Sequence, residues 1–235
     1  MKILLIHFRK NNKTIEHEKK CFIKFVKNQK EIDFINIFEQ KSIFNNPYYI
    51  FRKYTHIILG GSSEFSLTKE AALPKERDFI IKKTEKIIKE ILKKDFPTLG
   101  VCFGHQLIAR HLGIKILRHL KKKEIGTFLV YKNKDDQLLK NIPSKFYAIF
   151  AHIDFVSNRK IKHLQILAKT NKDNNTILKF KNNVYGIQFH AELSKKDFLE
   201  RLKITNEREY LNFFPNLKNT KESENIIKNF LKIKT

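Results

Sequence analysis

The chain alternates short apolar runs with longer segments whose apolar residues recur every three or four positions. Residues 2–8 (KILLIHF) form the first run and fit a buried strand. Residues 12–29 follow, with Ile15, Cys21, Phe22, Phe25 and Val26 at roughly helical spacing. Residues 31–38 (EIDFINIF) alternate and read as a second strand; 55–59 (THIIL), closed by Gly60 and Gly61, read as a third. Residues 75–94 carry Phe79, Ile80, Ile87, Ile88 and Ile91, the stripe of an amphipathic helix. PTLGV at 97–101 predicts a fourth strand and 104–112 another helix. Strands alternating with helices imply parallel βαβ units, hence an α/β fold with a doubly wound, mostly parallel sheet and helices on both faces.

The second half changes character. Short strand-like runs at 114–119, 126–131, 145–151, 164–169, 176–180 and 184–189 are separated by turn residues, and helical segments are scarce until 195. Antiparallel strands added to the parallel sheet fit this pattern. From 195 the pattern is helical again, and Ile226, Ile227, Phe230 and Leu231 make an apolar packing stripe. No repeat, linker or domain boundary is visible, so the expectation is a single domain over 1–235, with 195–235 a helical C-terminal extension.

Composition narrows the function classes. At 235 residues the chain can bury a large core without disulfides. Its two cysteines, Cys21 and Cys102, form neither a disulfide framework nor a CxxC or Cys/His metal spacing, so no metal or cofactor is expected. The opening MKILLIHFRKNN is too short in apolar residues for a signal peptide, and no stretch approaches a membrane span. These features point to a cytoplasmic protein without a membrane partner. The formal net charge of +24 favours non-specific attraction of polyanions. The charge is spread over the whole chain, with no basic block interleaved with aromatics and no nucleic-acid-binding motif, so no specific nucleic-acid partner is expected. Only seven glycines occur, which makes each one a pointer to a tight turn or close approach.

Two of them flank a cysteine in Gly100-Val101-Cys102-Phe103-Gly104, between a predicted strand and a predicted helix. This is the form of a nucleophile elbow, in which a sharp turn lifts the reactive atom to the carboxyl end of a strand. The helix N-terminus places its partial positive charge at the sulfur, which suits a thiolate. Such a nucleophile needs a proton shuttle. His190 follows an apolar strand, and Glu192 lies two residues on, able to accept from one imidazole nitrogen and leave the other for the thiol. Gly60-Gly61 and the amide of Phe103 are candidate oxyanion donors. The competing readings are an inert core thiol at Cys102 and a structural histidine at His190.

VCFGHQLIARHLG together with GIQFHAEL resembles the class I glutamine amidotransferases, the group with a Cys-His-Glu triad. THIILGGS resembles their oxyanion strand; KKKEIGTFLVY at 121–131 and FAHIDFV at 150–156 resemble segments of GMP-synthetase-like members. The resemblance runs from residue 1 to about 195 and implies a flavodoxin-like fold. It implies that Cys102 attacks the side-chain amide of glutamine, that the Gly61 and Phe103 amides hold the oxyanion, and that His190, oriented by Glu192, moves the proton. It also implies glutamine contacts at Gly60, Gln106, Ala151 and His152. The sequence departs from the family at Ala191, Ser62 and Ala151, where proline, proline and serine are usual. No ATP-binding loop is present, so any synthetase step belongs to a partner chain receiving ammonia. Two alternatives stay open: a γ-glutamyl amide or peptide hydrolase with the same triad, and a non-catalytic regulatory or binding protein on the fold.

Overall fold

In the first strand, β1 (Ile3–His7), Leu4 and Ile6 enter one hydrophobic cluster while Ile3 and Leu5 enter another. That alternation defines two buried faces, and the rest of the fold is arranged to cover them. A computed structural model of the chain describes residues 1–39, 42–70, 72–157, 164–206 and 217–234. The element order is β1, α1 (Asn12–Ile23), β2 (Ile32–Asn36), α2 (Tyr48–Lys53), β3 (His56–Leu59), α3 (Pro74–Lys94), β4 (Thr98–Val101) and α4 (Phe103–His111). There follow β5 (Ile116–Arg118), β6 (Glu124–Lys132), β7 (Lys145–His152), β8 (Asp154–Val156), β9 (Gln165–Lys169), β10 (Ile177–Lys179), β11 (Val184–Ile187), α5 (Lys195–Ile204) and α6 (Lys221–Phe230).

The main sheet runs β2-β1-β3-β4-β11-β10-β9-β6-β7. Its first five strands are parallel and its last four join antiparallel. One face packs against α3 and α4 through Ile80, Ile87, Ile88, Leu107 and Ile108. The other packs against α1 and α6 through Phe22, Ile226, Ile227 and Phe230. Each fully buried isoleucine on α3 contributes roughly 1.5–3 kcal/mol of apolar burial, which fixes that helix against the sheet. This is the expected doubly wound sheet with added antiparallel strands.

Three local expectations need correction, and one element is new. The helix read over 12–29 ends at Ile23, because Phe25 and Val26 belong to a turn closed on Phe22 and Ile23. The 114–119 run does not join the main sheet: β5 pairs only with β8, in a separate two-stranded sheet. The run at 184–189 leaves the sheet after Ile187. The six-residue α2 was not anticipated. Beyond 195, α5 and α6 are helical as expected, whereas 207–216 and 235 lie outside the described residues.

Candidate active site

β3, β4 and β11 are neighbours and end at one level: Leu59 pairs with Gly100, and Gly100 with Gly186. The residues just past these ends, Gly60-Gly61, Cys102 and Gln188 to His190, therefore meet at the carboxyl edge of the sheet, where open α/β folds place their sites. Cys102 makes the turn into α4 with φ 50° and ψ −100°. Its N–H donates to the Ile187 carbonyl at 2.8 Å, and its carbonyl accepts from Gln106 N–H at 3.1 Å. The flanking glycines are needed for space. A Cβ on Gly100 would lie 2.6 Å from the Gly104 backbone, and one on Gly104 would run into the Leu59 carbonyl. Gly104 N–H donates to the Gly60 carbonyl at 3.1 Å, which ties the Gly60-Gly61 loop to the elbow.

His190 is buried and anchored by its own N–H, which donates to the Ile149 carbonyl at 2.7 Å. Its Nδ1 lies 2.7 Å from Oε1 of the fully buried Glu192. Burial works against a charged imidazole, but the Glu192 carboxylate and the Cys102 sulfur outweigh it and raise the pKa to about 10. The charged ring donates from Nδ1 to Glu192 and keeps Nε2–H for another acceptor. Gly61 is pressed against this ring. Among the described residues, neither the Gly61 nor the Phe103 N–H has an acceptor. Gln188, a position the motifs did not single out, donates from Nε2 to Cys102 Sγ at 3.6 Å. Its signal was its place in GIQFHAE, two residues before the histidine.

A cavity of about 310 Å³ opens onto Cys102 and His190, with Gln106, Ala151 and His152 in its wall. Gln106 donates from Nε2 to the Asp154 carbonyl at 2.8 Å and to Gln188 Oε1 at 3.2 Å, so it braces the wall as well as lining it. His152 is locked on both sides: Nδ1 at 3.1 Å from the Asp154 carbonyl and Nε2 at 3.0 Å from Glu124 Oε2. Glu124 thus both begins β6 and supports the wall. Gly60 stands apart from the cavity, against the Glu18 carboxylate, where its N–H donates to the Ile6 carbonyl and its own carbonyl accepts from the Gly104 N–H. Glu18 in turn accepts from Arg9 Nη2 at 3.2 Å and pairs with His7 Nδ1 at 2.5 Å. Burial favours the neutral acid there, but Arg9 and the His7 hydrogen bond hold the carboxyl well below its usual range.

Cys21, His17 and His105 are buried away from this cavity. Cys21 sits in a small core between α1 and α5, and burial pushes its thiol up to about 12. His17, Cys21 and Asp197 bring donor atoms within 4.8 Å of one another. Arg201 already donates to His17 Nδ1 at 2.9 Å and Lys24 holds Asp197 at 3.0 Å, so these donors serve internal cations. His105 is fully buried between Gly186 and Phe180, where burial pushes it down to about 3. Among the described residues, no helix is long and apolar enough to cross a membrane.

The family model for class-I glutamine amidotransferases matches residues 18–203. The glutamine-hydrolyzing GMP synthase of Treponema denticola is 32% identical over 143 residues, covering 61% of this chain and 23% of that protein. One subunit of the glutamine-hydrolyzing GMP synthase of Methanocaldococcus jannaschii is 34% identical over 120 residues, covering 50% of this chain and 62% of that one. In both cases the match spans less than two thirds of the relative's own length. A crystal structure of a glutamine amidotransferase from Thermotoga maritima superposes with a TM-score of 0.72 at 21% identity, covering 99% of this chain and 96% of that one, and so shares the fold.

Proposed function

Because the chain belongs to the class-I glutamine amidotransferase family, we propose that it hydrolyses the side-chain amide of glutamine through a thioester on Cys102. The observation that carries this reading is the convergence of Cys102 and the hydrogen-bonded His190–Glu192 pair on one cavity. Cys102 Sγ attacks the amide carbon, and the carbonyl oxygen takes its charge toward the Gly61 and Phe103 N–H groups. His190 gives its Nε2 proton to the amide nitrogen, the C–N bond breaks and ammonia leaves. Water then adds to the thioester, His190 takes its proton, and the C–S bond breaks to give glutamate and the free thiolate. Glu192 orients the ring throughout. Gln106 and the Ala151–His152 backbone hold the amino-acid end, and Gly60 positions Gly61.

The names of the relatives favour delivery of the ammonia to a synthetase partner chain. In this reading residues 1–235 act as one amidotransferase domain in the cytoplasm, with 195–235 as its helical extension. The test is labelling by a glutamine-like electrophile, read by mass spectrometry alongside ammonia release. Cys102 is modified and glutamine protects it, while Cys21, whose thiol burial holds up at about 12, stays unlabelled. Absence of both labelling and ammonia release, with or without a co-purified partner, overturns the reading.

A further inference from the structure

The cavity wall that carries His190 also carries two arginines that the proposed reaction does not use. Arg9 follows β1 and Arg201 lies on α5, and both line the cavity holding Cys102. They are 1% and 7% exposed. Arg9 gives Nη2 to Glu18, and Arg201 gives Nε to His17. Among the described residues, three of their nitrogens are buried with no hydrogen-bond partner: Arg9 Nε, Arg9 Nη1 and Arg201 Nη2. The carboxylates that feel both cations are Glu18 and Glu192. Glu18 is already shared between His7 and Arg9, and Glu192 spends Oε1 on His190, leaving Oε2 as its unpartnered oxygen. Among the described residues, three unpartnered arginine nitrogens thus stand against two unpartnered carboxylate oxygens around this cavity, Glu192 Oε2 and Asp154 Oδ1.

A guanidinium does not shed its proton to relieve burial, and an unpaired buried donor is costly. The two cations also act on one another: burial first, and then the Arg9 charge, push Arg201 below the usual guanidinium value. An incoming anion relieves both the missing hydrogen bonds and the repulsion. The planar fork of a guanidinium matches two oxygens of a carboxylate.

We propose that Arg9 and Arg201 form a seat for a carboxylate of the substrate. The proposal rests on the reading that Cys102 cleaves a γ-glutamyl amide. Such substrates carry a carboxylate in one of two places, on the α-carbon of the glutamyl half or on the amine half of a γ-glutamyl amino acid. The chemistry of the seat is the same for both.

Four probes separate the cases with the full chain: glutamine, glutamine α-amide, γ-glutamylglycine and γ-glutamylmethylamide. A seat for the α-carboxylate gives glutamine a KM about tenfold or more below that of its α-amide. A seat for the amine half puts the same gap between γ-glutamylglycine and γ-glutamylmethylamide. In either case Arg201→Gln closes the gap and Arg201→Lys closes it in part, with folding followed by thermal melting. Should Arg201→Gln not fold, Arg201→Lys replaces it: a gap that closes in part supports the seat, and an unchanged gap overturns it. Equal KM values within both pairs, or a variant that raises all four together, overturn the seat and leave the arginines as internal supports. If the wild type cleaves none of the probes, the proposed reaction fails. Calorimetric binding of the same pairs to Cys102→Ala then still tests the seat, and equal affinities overturn it.

Discussion

A β-carbon added to Gly61 would lie 2.9 Å from Cε1 of His190 and 3.5 Å from Nη2 of Arg9. The bare glycine is what lets the imidazole sit where it does between Glu192 and the elbow. Gly61→Ala must push the ring away by a few tenths of an ångström, and the guanidinium limits the alternative. Small displacements of a proton shuttle are expensive for catalysis. The expected result is a fall in kcat/KM of about tenfold or more with the melting temperature little changed. Full activity in this variant would show that the clash is relieved without moving the imidazole out of its working position.

The elbow itself carries strain. Cys102 holds φ 50° and ψ −100°, a conformation that side chains disfavour by about 1–3 kcal/mol. Cys102→Ala keeps that strain, and Cys102→Gly releases it. Both variants lose turnover. In ordinary ordered backbone glycine is less stable than alanine by about 0.5–1 kcal/mol. Here denaturant melts should find Cys102→Gly at least as stable as Cys102→Ala. A clear advantage for alanine would show that the turn is relaxed.

The parallel half of the fold is legible in the sequence because its strands are buried on both faces and read as unbroken apolar runs, as in THIIL and PTLGV. The β5–β8 ribbon is not, since Leu117 and Arg118 of β5 are exposed and its partner strand is fixed by tertiary placement. Six residues of α2 are too few to display a helical period. The candidate triad is legible because each part is local: a nucleophile between two glycines, and a histidine two residues from a carboxylate. Arg9 and Arg201 are not, because RKNN and ERLK read as solvated charge. Their burial depends on partners met only in the fold, Glu18 for one and His17 for the other.

The charge on His190 makes stability depend on pH in a definite direction. Its folded pKa of about 10 stands above the 6.5 of an unperturbed imidazole. The stabilisation this represents is complete below about 6.5 and is lost as pH rises through about 10. Glu192→Gln removes the main favourable charge and leaves only the Cys102 sulfur to set against burial, which opposes protonation. The imidazole titration followed by NMR should move down by more than about one pH unit, and the alkaline loss of stability should begin correspondingly earlier. A titration unchanged by this substitution would mean that Glu192 does not set the state of the ring.

Three glycines outside the Gly60-Gly61 loop should fall in a rank order set by what an added methyl group meets. At Gly104 it meets the Leu59 carbonyl, part of β3 in the middle of the sheet, which cannot yield without breaking strand pairing. At Gly186 it meets the rings of His105 and Phe180, buried side chains that can repack at a cost of about 1–3 kcal/mol. At Gly113 it meets nothing, and the penalty is the left-handed backbone alone, φ 77°, worth about 1–2 kcal/mol. Alanine should therefore be most damaging at Gly104, to the point of preventing folding, intermediate at Gly186 and mildest at Gly113. Urea melts of the three variants check the order. A well-folded Gly104→Ala would mean that α4 can withdraw from β3. Because Gly104 N–H also holds the Gly60 carbonyl, that variant would then show its damage in kcat rather than in stability.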